Sequence, residues 1–305
     1  MAINPSYSNS ALKTNPEFSL FSNQEQALID ELIQLAIHED IAGGDHTSLA
    51  CIPEMAEKKA RLIVKESGTI SGISAARVIF ERIDARLKFE PILLDGTTVV
   101  AGDIAFTVEG SARSILAAER LVLNCMQRMS GIATQTRLLV NSIAHTSCTL
   151  LDTRKTAPGM RVFEKMAVRH GGAKNHRMGL YDMIMVKDNH IDYAGGITEA
   201  IERVKTYLKE NNLELDIEVE ARNLDDVKTI CNAGGIRRVM FDNFSSAQIL
   251  QGLAITKNYT IETEASGGIN DTSLVQYAET GVQFISVGAL THQVRSLDLS
   301  LKAFE

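Results

Sequence analysis

The strongest constraint on the fold is a repeat in the second half of the chain. Short apolar runs close at Asp152, Lys187, Glu220, Asp242, Glu264 and Val287, the last four spaced 22 or 23 residues apart. Helical patterns fill the gaps over 197–210, 223–233, 245–254 and 271–280. Strand, loop and helix recurring at this spacing predict β/α units on a parallel sheet, with ligands at the C-terminal edge of the strands. Six strands fall short of the eight of a complete barrel.

The first half follows another pattern. Residues 1–22 are rich in Ser, Asn and Pro and predict a loose tail, with neither the basic start nor the apolar run of a signal peptide. A capped amphipathic helix is predicted from Asn23, with Leu28, Ile29, Leu32, Ile33, Ala36 and Ile37 in one stripe. After it, HEDIAGGDHTS gathers His38, Glu39, Asp40, Asp45 and His46. Its Gly43-Gly44 pair, with no helical His-x-x-x-His spacing, favours a turn over a metal site.

Alternation over 59–72 and 97–109 predicts strands and 73–84 a helix, together an α+β unit. A long helix is predicted from Ser111, apolar on nearly all sides and so largely buried. Within it Arg120 is either an exposed edge or an arginine held for an anion or a partner subunit. The expected division is a tail over 1–22, an N-terminal α+β sandwich-like domain over 23–146, an incomplete (open) β/α barrel over 147–292 that carries the site, and a C-terminal helix over 293–305 packing on the first domain.

With 305 residues, 45% of them hydrophobic, the chain can bury a large core. No apolar run reaches the ~18 residues of a membrane span. Cys51, Cys125, Cys148 and Cys231 lie far apart without a C-x-x-C pair, so reduced thiols and a cytoplasmic location are expected.

Charge then narrows the ligand. Residues 152–190 hold eight Lys and Arg against four acids, in a chain whose net charge is -7. Such an island points to a small, multiply charged anion, because a nucleic-acid partner usually calls for a basic face over a whole domain. The charges begin where the apolar runs 148–152 and 182–187 stop, so Arg154, Lys155 and Lys187 belong at the strand rim. Between the runs, Met160, Phe163, Met166 and Ala167 recur at helical spacing. Pro158-Gly159 and Gly171-Gly172 bracket that helix.

Glu220, Asp242 and Glu264 end successive strands at the same rim. Acids beside a cationic pocket point to Mg2+, which takes few carboxylates and completes its shell with water and phosphate oxygens. Buried ion pairing accounts for any one of them equally well. Ser266-Gly267-Gly268 and Gly288 follow the last two strands, where backbone N–H groups approach a phosphate.

DTRKT, PGMR, EKMAVRHGG, NHR and KDNH, followed by EVEA, MFDNF, EASGGI and ISVGALTH, carry a resemblance that runs from about Asn23 to the last residues. The chain resembles the nicotinate-nucleotide pyrophosphorylase (carboxylating) family, also called quinolinate phosphoribosyltransferase. The resemblance implies an open β/α barrel, a homodimer, magnesium, and the substrates quinolinate and 5-phosphoribosyl-1-diphosphate in NAD biosynthesis, with no nucleic acid and no membrane. It implies that Arg154, His176, Arg177 and Lys187 hold the two carboxylates, with Thr153 and Lys155 in the same site and Arg120 entering from the neighbouring subunit. It further implies that Glu220 and Asp242 hold magnesium and the sugar diphosphate. Ser266, Gly267, Gly268 and the stretch Val287, Gly288 and Ala289 would take the 5-phosphate. Lys155, Lys187, Glu220 and Asp242 form the expected catalytic set. The rivals are a molybdenum-transport paralogue of the same fold, a Schiff-base lyase using Lys155 or Lys187, and a non-catalytic anion-binding barrel.

Overall fold

The computed structural model describes residues 22–304, so the tail expected over 1–22 lies outside the described residues except for Ser22. The chain divides into two compact units. One holds the described chain up to Arg137, Thr156–Gly172 and the stretch from Gln293; the other comprises Leu138–Lys155 and Ala173–His292. The second unit thus begins before residue 147 and leaves Thr156–Gly172 to the first.

The first unit contains helices α1 (Asn23–Ile41), α2 (His46–Cys51), α3 (Ile73–Ile83), most of α4 (Ala112–Ser142) and α5 (Arg161–His170). Its strands are β1 (Glu57–Val64), β2 (Gly68–Thr69), β3 (Lys88–Pro91), β4 (Thr98–Val99), β5 (Ile104–Ser111) and β12 (Leu299–Phe304). A four-stranded sheet runs β12-β1-β5-β3 with antiparallel pairs, and β2 pairs with β4. α1 opens with a capping box between Ser22 and Glu25. Its buried stripe is narrower than predicted: Ile29, Ile33 and Ile37 are buried, while Leu28 is half exposed. The predicted HEDIAGGDHTS turn continues into α2, whose first turn Asp45 caps by accepting the Ser48 N–H at 3.0 Å. Phe80, Phe89 and Phe106 pack with ring centroids 4.6–5.9 Å apart between α3 and the sheet.

The helix expected over 293–305 is instead a strand. β12 pairs antiparallel with β1, from Lys59 opposite Phe304 to Val64 opposite Leu299. Leu297, Leu299 and Leu301 are buried in a period of two, which a strand satisfies and a helix does not.

The second unit is a parallel sheet with helices. Its strands are β6 (Thr149–Leu151), β7 (Ile184–Val186), β8 (Ile217–Ala221), β9 (Arg238–Asp242), β10 (Glu262–Ser266) and β11 (Phe284–Ser286), in the order β6-β11-β10-β9-β8-β7. Its helices are α6 (Asp188–Ala194), α7 (Ile197–Glu210), α8 (Leu224–Ala233), α9 (Ser246–Thr256), α10 (Leu274–Ala278) and α11 (Ala289–His292). Chain neighbours are sheet neighbours all the way round except between β6 and β7, so the ring is open at that seam. At the β6 edge Lys174 donates its N–H to Leu150 at 2.9 Å and accepts that of Asp152 at 3.2 Å. No helix of the described residues is long and apolar enough to cross a membrane.

The period of two sorts the barrel strands into two faces. Val219 on β8, Val239 and Phe241 on β9, and Ala265 on β10 are buried on one. The other carries Glu218 and Glu220, then Arg238, Met240 and Asp242, then Glu262, Glu264 and Ser266, an interior of mostly polar side chains. Glu264 therefore does not end its strand as expected: it lies in the middle of β10 and is fully buried, and Ser266 takes the rim position.

Candidate active site

A cavity of about 490 Å³ opens at the C-terminal rim of the barrel. Thr153, Arg154 and Lys155 reach it just beyond β6, and Met185 and Lys187 at the end of β7. Glu220, Met240, Asp242, Asn243, Ser266, Ser286 and Gly288 come from β8 to β11 and the turns after them. The rim thus gathers four Lys or Arg, namely Arg154, Lys155, Arg177 and Lys187, and two carboxylates.

The loop carrying His176 and Arg177 is fixed by two aspartates. Asp152 is fully buried and accepts the Asn175 side-chain amide at 2.6 Å and the His176 N–H at 2.8 Å. Asp182 accepts the N–H groups of Met178 at 2.6 Å and Gly179 at 2.8 Å, and Arg177 donates to the Met183 carbonyl at 3.2 Å. Burial holds the Arg177 guanidinium below its usual basicity, and the charge of nearby Arg154 adds to the effect. Two like charges brought together in a partly desolvated pocket favour a dianion between them.

The acids are placed differently from one another. Glu220 pairs with Lys187 and accepts the Asp188 N–H at 3.2 Å. Asp242 accepts from the Asn243 side-chain amide at 2.8 Å. These two rim carboxylates, facing the same cavity as the glycine turns, are a donor set that fits magnesium. Glu264 lies lower. Its Oε2 is 2.9 Å from Arg238 Nη1 and 3.4 Å from His176 Nε2, while Glu218 Oε2 is 3.0 Å from the same imidazole nitrogen. His176, Glu218 and Glu264 bring three ligating atoms within 4.8 Å of one another, but Arg238 already supplies their cation.

His176 Nδ1 accepts the Arg177 N–H at 2.7 Å, so the neutral ring carries its proton on Nε2, facing the two acids. Burial opposes the imidazolium, but Glu218 and Glu264 outweigh it and lift the pKa to about 9. A second proton on the ring would displace the Arg177 N–H bond.

The turn after β10 is shaped for backbone approach. Gly267 has φ +95°, and a Cβ there would lie 2.2 Å from Asn243 Oδ1; at Gly268, φ +62°, a Cβ would meet open space. A Cβ on Gly288 would lie 3.0 Å from Lys155 Cδ, so this glycine lets the lysine stem pass.

Family models for the quinolinate phosphoribosyl transferase N-terminal domain and C-terminal domain match residues 45–130 and 132–302. The chain belongs to the quinolinate phosphoribosyltransferase family. The chloroplastic nicotinate-nucleotide pyrophosphorylase [carboxylating] of Arabidopsis thaliana is 45% identical, covering 89% of this chain and 81% of the relative. A mitochondrial quinolinate phosphoribosyltransferase [decarboxylating] of Nicotiana glauca is 42% identical, covering 90% and 82%. Among solved structures, the nicotinate-nucleotide pyrophosphorylase of Francisella tularensis superposes with a TM-score of 0.85 at 36% identity, covering 96% of this chain and 99% of the other.

Of the residues that the sequence assigns to a quinolinate phosphoribosyltransferase site, the cavity brings together Thr153, Arg154, Lys155, His176, Arg177, Lys187, Glu220, Asp242, Ser266, Gly267, Gly268 and Gly288. Val287 is buried in the wall and Ala289 opens α11; neither lines the cavity. Arg120 belongs to the first unit and is exposed on α4, an alternative the sequence leaves open. Met185, Met240, Asn243 and Ser286 escaped the sequence reading. Met185 and Met240 lie two residues before Lys187 and Asp242, so counting back along the strand period would have found them. Asn243 stands at φ 55°, a region in which asparagine is enriched.

Proposed function

We propose that this chain transfers the phosphoribosyl group of 5-phosphoribosyl-1-diphosphate to the ring nitrogen of quinolinate and releases CO2, forming nicotinate mononucleotide and diphosphate. The observation that carries this reading is the neighbouring Arg154 and Arg177 on one rim, opposite a glycine turn and two carboxylates. A pyridine dicarboxylate supplies two negative charges to the arginines, and the turn at Gly267 and Gly268 suits a sugar phosphate.

In this reading Arg154, Arg177 and Lys187 bind the carboxylates and hold the ring nitrogen in line with the anomeric carbon. The nitrogen is itself the nucleophile, so no strong base is needed. Glu220 and Asp242 would hold magnesium, which when bound neutralises charge on the leaving diphosphate. Lys155, its stem against Gly288, extends into the same cavity toward the phosphates. Once ribosylated, the positive ring nitrogen stabilises the carbanion left at the adjacent carbon as CO2 departs, and that carbon then takes a proton, for which Lys187 and His176 in the cavity are the candidate donors, to give nicotinate mononucleotide.

We further propose a homodimer in which Arg120 completes the neighbour's site. Arg120 is exposed one helical turn from Leu116, itself 43% exposed, so α4 presents an apolar and cationic edge suited to a partner. The free thiols of Cys51, Cys125, Cys148 and Cys231 support a reducing compartment, and the cytoplasm is our proposal.

The test is to mix the protein with quinolinate, the sugar diphosphate and magnesium and to measure CO2 and diphosphate. Equimolar release of both is expected. Binding of quinolinate without CO2 would leave an anion-binding barrel in place of the enzyme.

A further inference from the structure

Beneath the cavity floor lies a layer of charge that the reaction as described does not use. Arg238 contacts three carboxylates, at 2.9 Å from Glu264, 3.0 Å from Glu262 and 3.6 Å from Glu218, and its guanidinium lies 4.1 Å from the centre of the Phe284 ring. Glu218 and Glu264 are fully buried, at the cost in desolvation that a barrel floor of valine and leucine would avoid. On the cavity side both carboxylates meet the imidazole of His176, at 3.0 and 3.4 Å, and Glu264 also meets the Ser286 hydroxyl. His176 in turn accepts the Arg177 N–H at 2.7 Å and lines the cavity.

We propose that Glu218 and Glu264, braced by Arg238, are positioning residues for the dicarboxylate site: they fix the His176 ring from below, in the cavity wall beside Arg177. The two carboxylates come from different strands, β8 and β10, and approach His176 Nε2 at 3.0 and 3.4 Å, which restricts where the ring can lie. Arg238 holds both from β9, the strand between them, so their separation is set by the sheet. Glu220, two residues beyond Glu218 on the same face, belongs to the magnesium and diphosphate side. One strand would then serve both substrates from successive inward positions.

The inference rests on the quinolinate reading, and binding separates the two. Calorimetry with the full chain measures quinolinate and the sugar diphosphate separately, for the parent and for Glu218→Gln and Glu264→Gln. Loss of one charge-assisted contact is expected to weaken quinolinate by roughly tenfold or more, while the sugar diphosphate stays within about twofold. In turnover this appears as a raised KM for quinolinate with an unaltered KM for the sugar. In a His176→Ala background, either carboxamide is expected to add less than about twofold, since the group it positions is gone.

If quinolinate affinity is unchanged, if both ligands weaken together, or if the full effect persists without His176, the layer serves only the fold. Should a carboxamide variant fail to fold, Glu218→Asp and Glu264→Asp keep the charge and withdraw it by one methylene; the same two criteria apply to them. A parent that does not bind quinolinate overturns the functional reading along with this one, and does so on the parent alone.

Discussion

At the scale of single residues, Arg154 and Arg177 matter through their closeness. Each guanidinium raises the cost of the other until a dianion arrives, so removing either weakens the site's preference for two carboxylates over one. Arg154→Ala and Arg177→Ala are each expected to lose roughly 1.5 to 3 kcal/mol of quinolinate binding, about ten- to a hundredfold, measured by calorimetry on folded protein. Unchanged affinity would remove that arginine from the site. Glu220 and Asp242 make a contrasting case, because their expected role passes through the metal. Glu220→Gln and Asp242→Asn should lose activity that raising magnesium partly restores, since mass action offsets weaker binding. A magnesium titration identical to the parent's would make both acids structural. Glu220 and Asp242 were legible because each closes an apolar run and Arg154 because it lies just beyond one, whereas Arg177 came from the family resemblance alone. Glu264 was misread by the same rule: the barrel interior is polar, so a charge within a strand looks like the strand's end.

At the scale of elements, helix ends carry much of the design. The N-terminus of α3 is capped from a distance by Asp95, which accepts the N–H groups of Gly72 at 2.6 Å, Ile73 at 2.9 Å and Ser74 at 3.1 Å. Its C-terminus ends on Asp84, which accepts from Arg86 Nε at 2.9 Å and from Ser114 Oγ on α4 at 2.8 Å. The hydrogen bond from Arg86 holds the Asp84 carboxyl below its usual range, outweighing burial, with Ser114 assisting. A depressed carboxyl contributes stability above its unfolded value near pH 4 and loses it as the pH falls through the folded value. Asp84→Asn is therefore expected to cost about 1 to 2 kcal/mol in denaturant unfolding at pH 7, with the gap to the parent closing in acid. A gap equal at both ends of the pH range would assign the effect to packing. α3 itself was legible from its apolar spacing, but the contacts at its two ends were not: Asp95, which caps the start, and Ser114, which holds Asp84 at the end, come from other elements, and spacing along one helix carries no trace of them. The same limit hid β12, whose leucine alternation is short and whose partner strand lies near the other end of the chain.

At the scale of the whole molecule, the proposed dimer makes a quantitative forecast. Arg120→Ala and Lys155→Ala should each be nearly inactive alone, because one lacks what it gives its neighbour and the other lacks part of its own cavity. Dissociated, mixed in equal amounts and reassembled, they should form hybrid dimers with one intact site and one doubly altered site. Random pairing in a two-fold dimer returns about a quarter of the parent activity per site. Demonstrated exchange without recovery would mean that Arg120 serves its own chain. The apolar content of α4 did not decide between an exposed edge at Arg120 and a buried one, because an exposed Leu116 and a buried leucine read alike in sequence. The order of synthesis adds a further consequence. β1 lies between β5, which the ribosome delivers soon after it, and β12, which arrives only when almost all of the described chain has been made. Until then β1 offers an unpaired hydrogen-bonding edge, so the unit that begins first cannot be finished first. The barrel, whose strands need nothing beyond β11 to pair, is free to assemble while its neighbour still waits for its last strand.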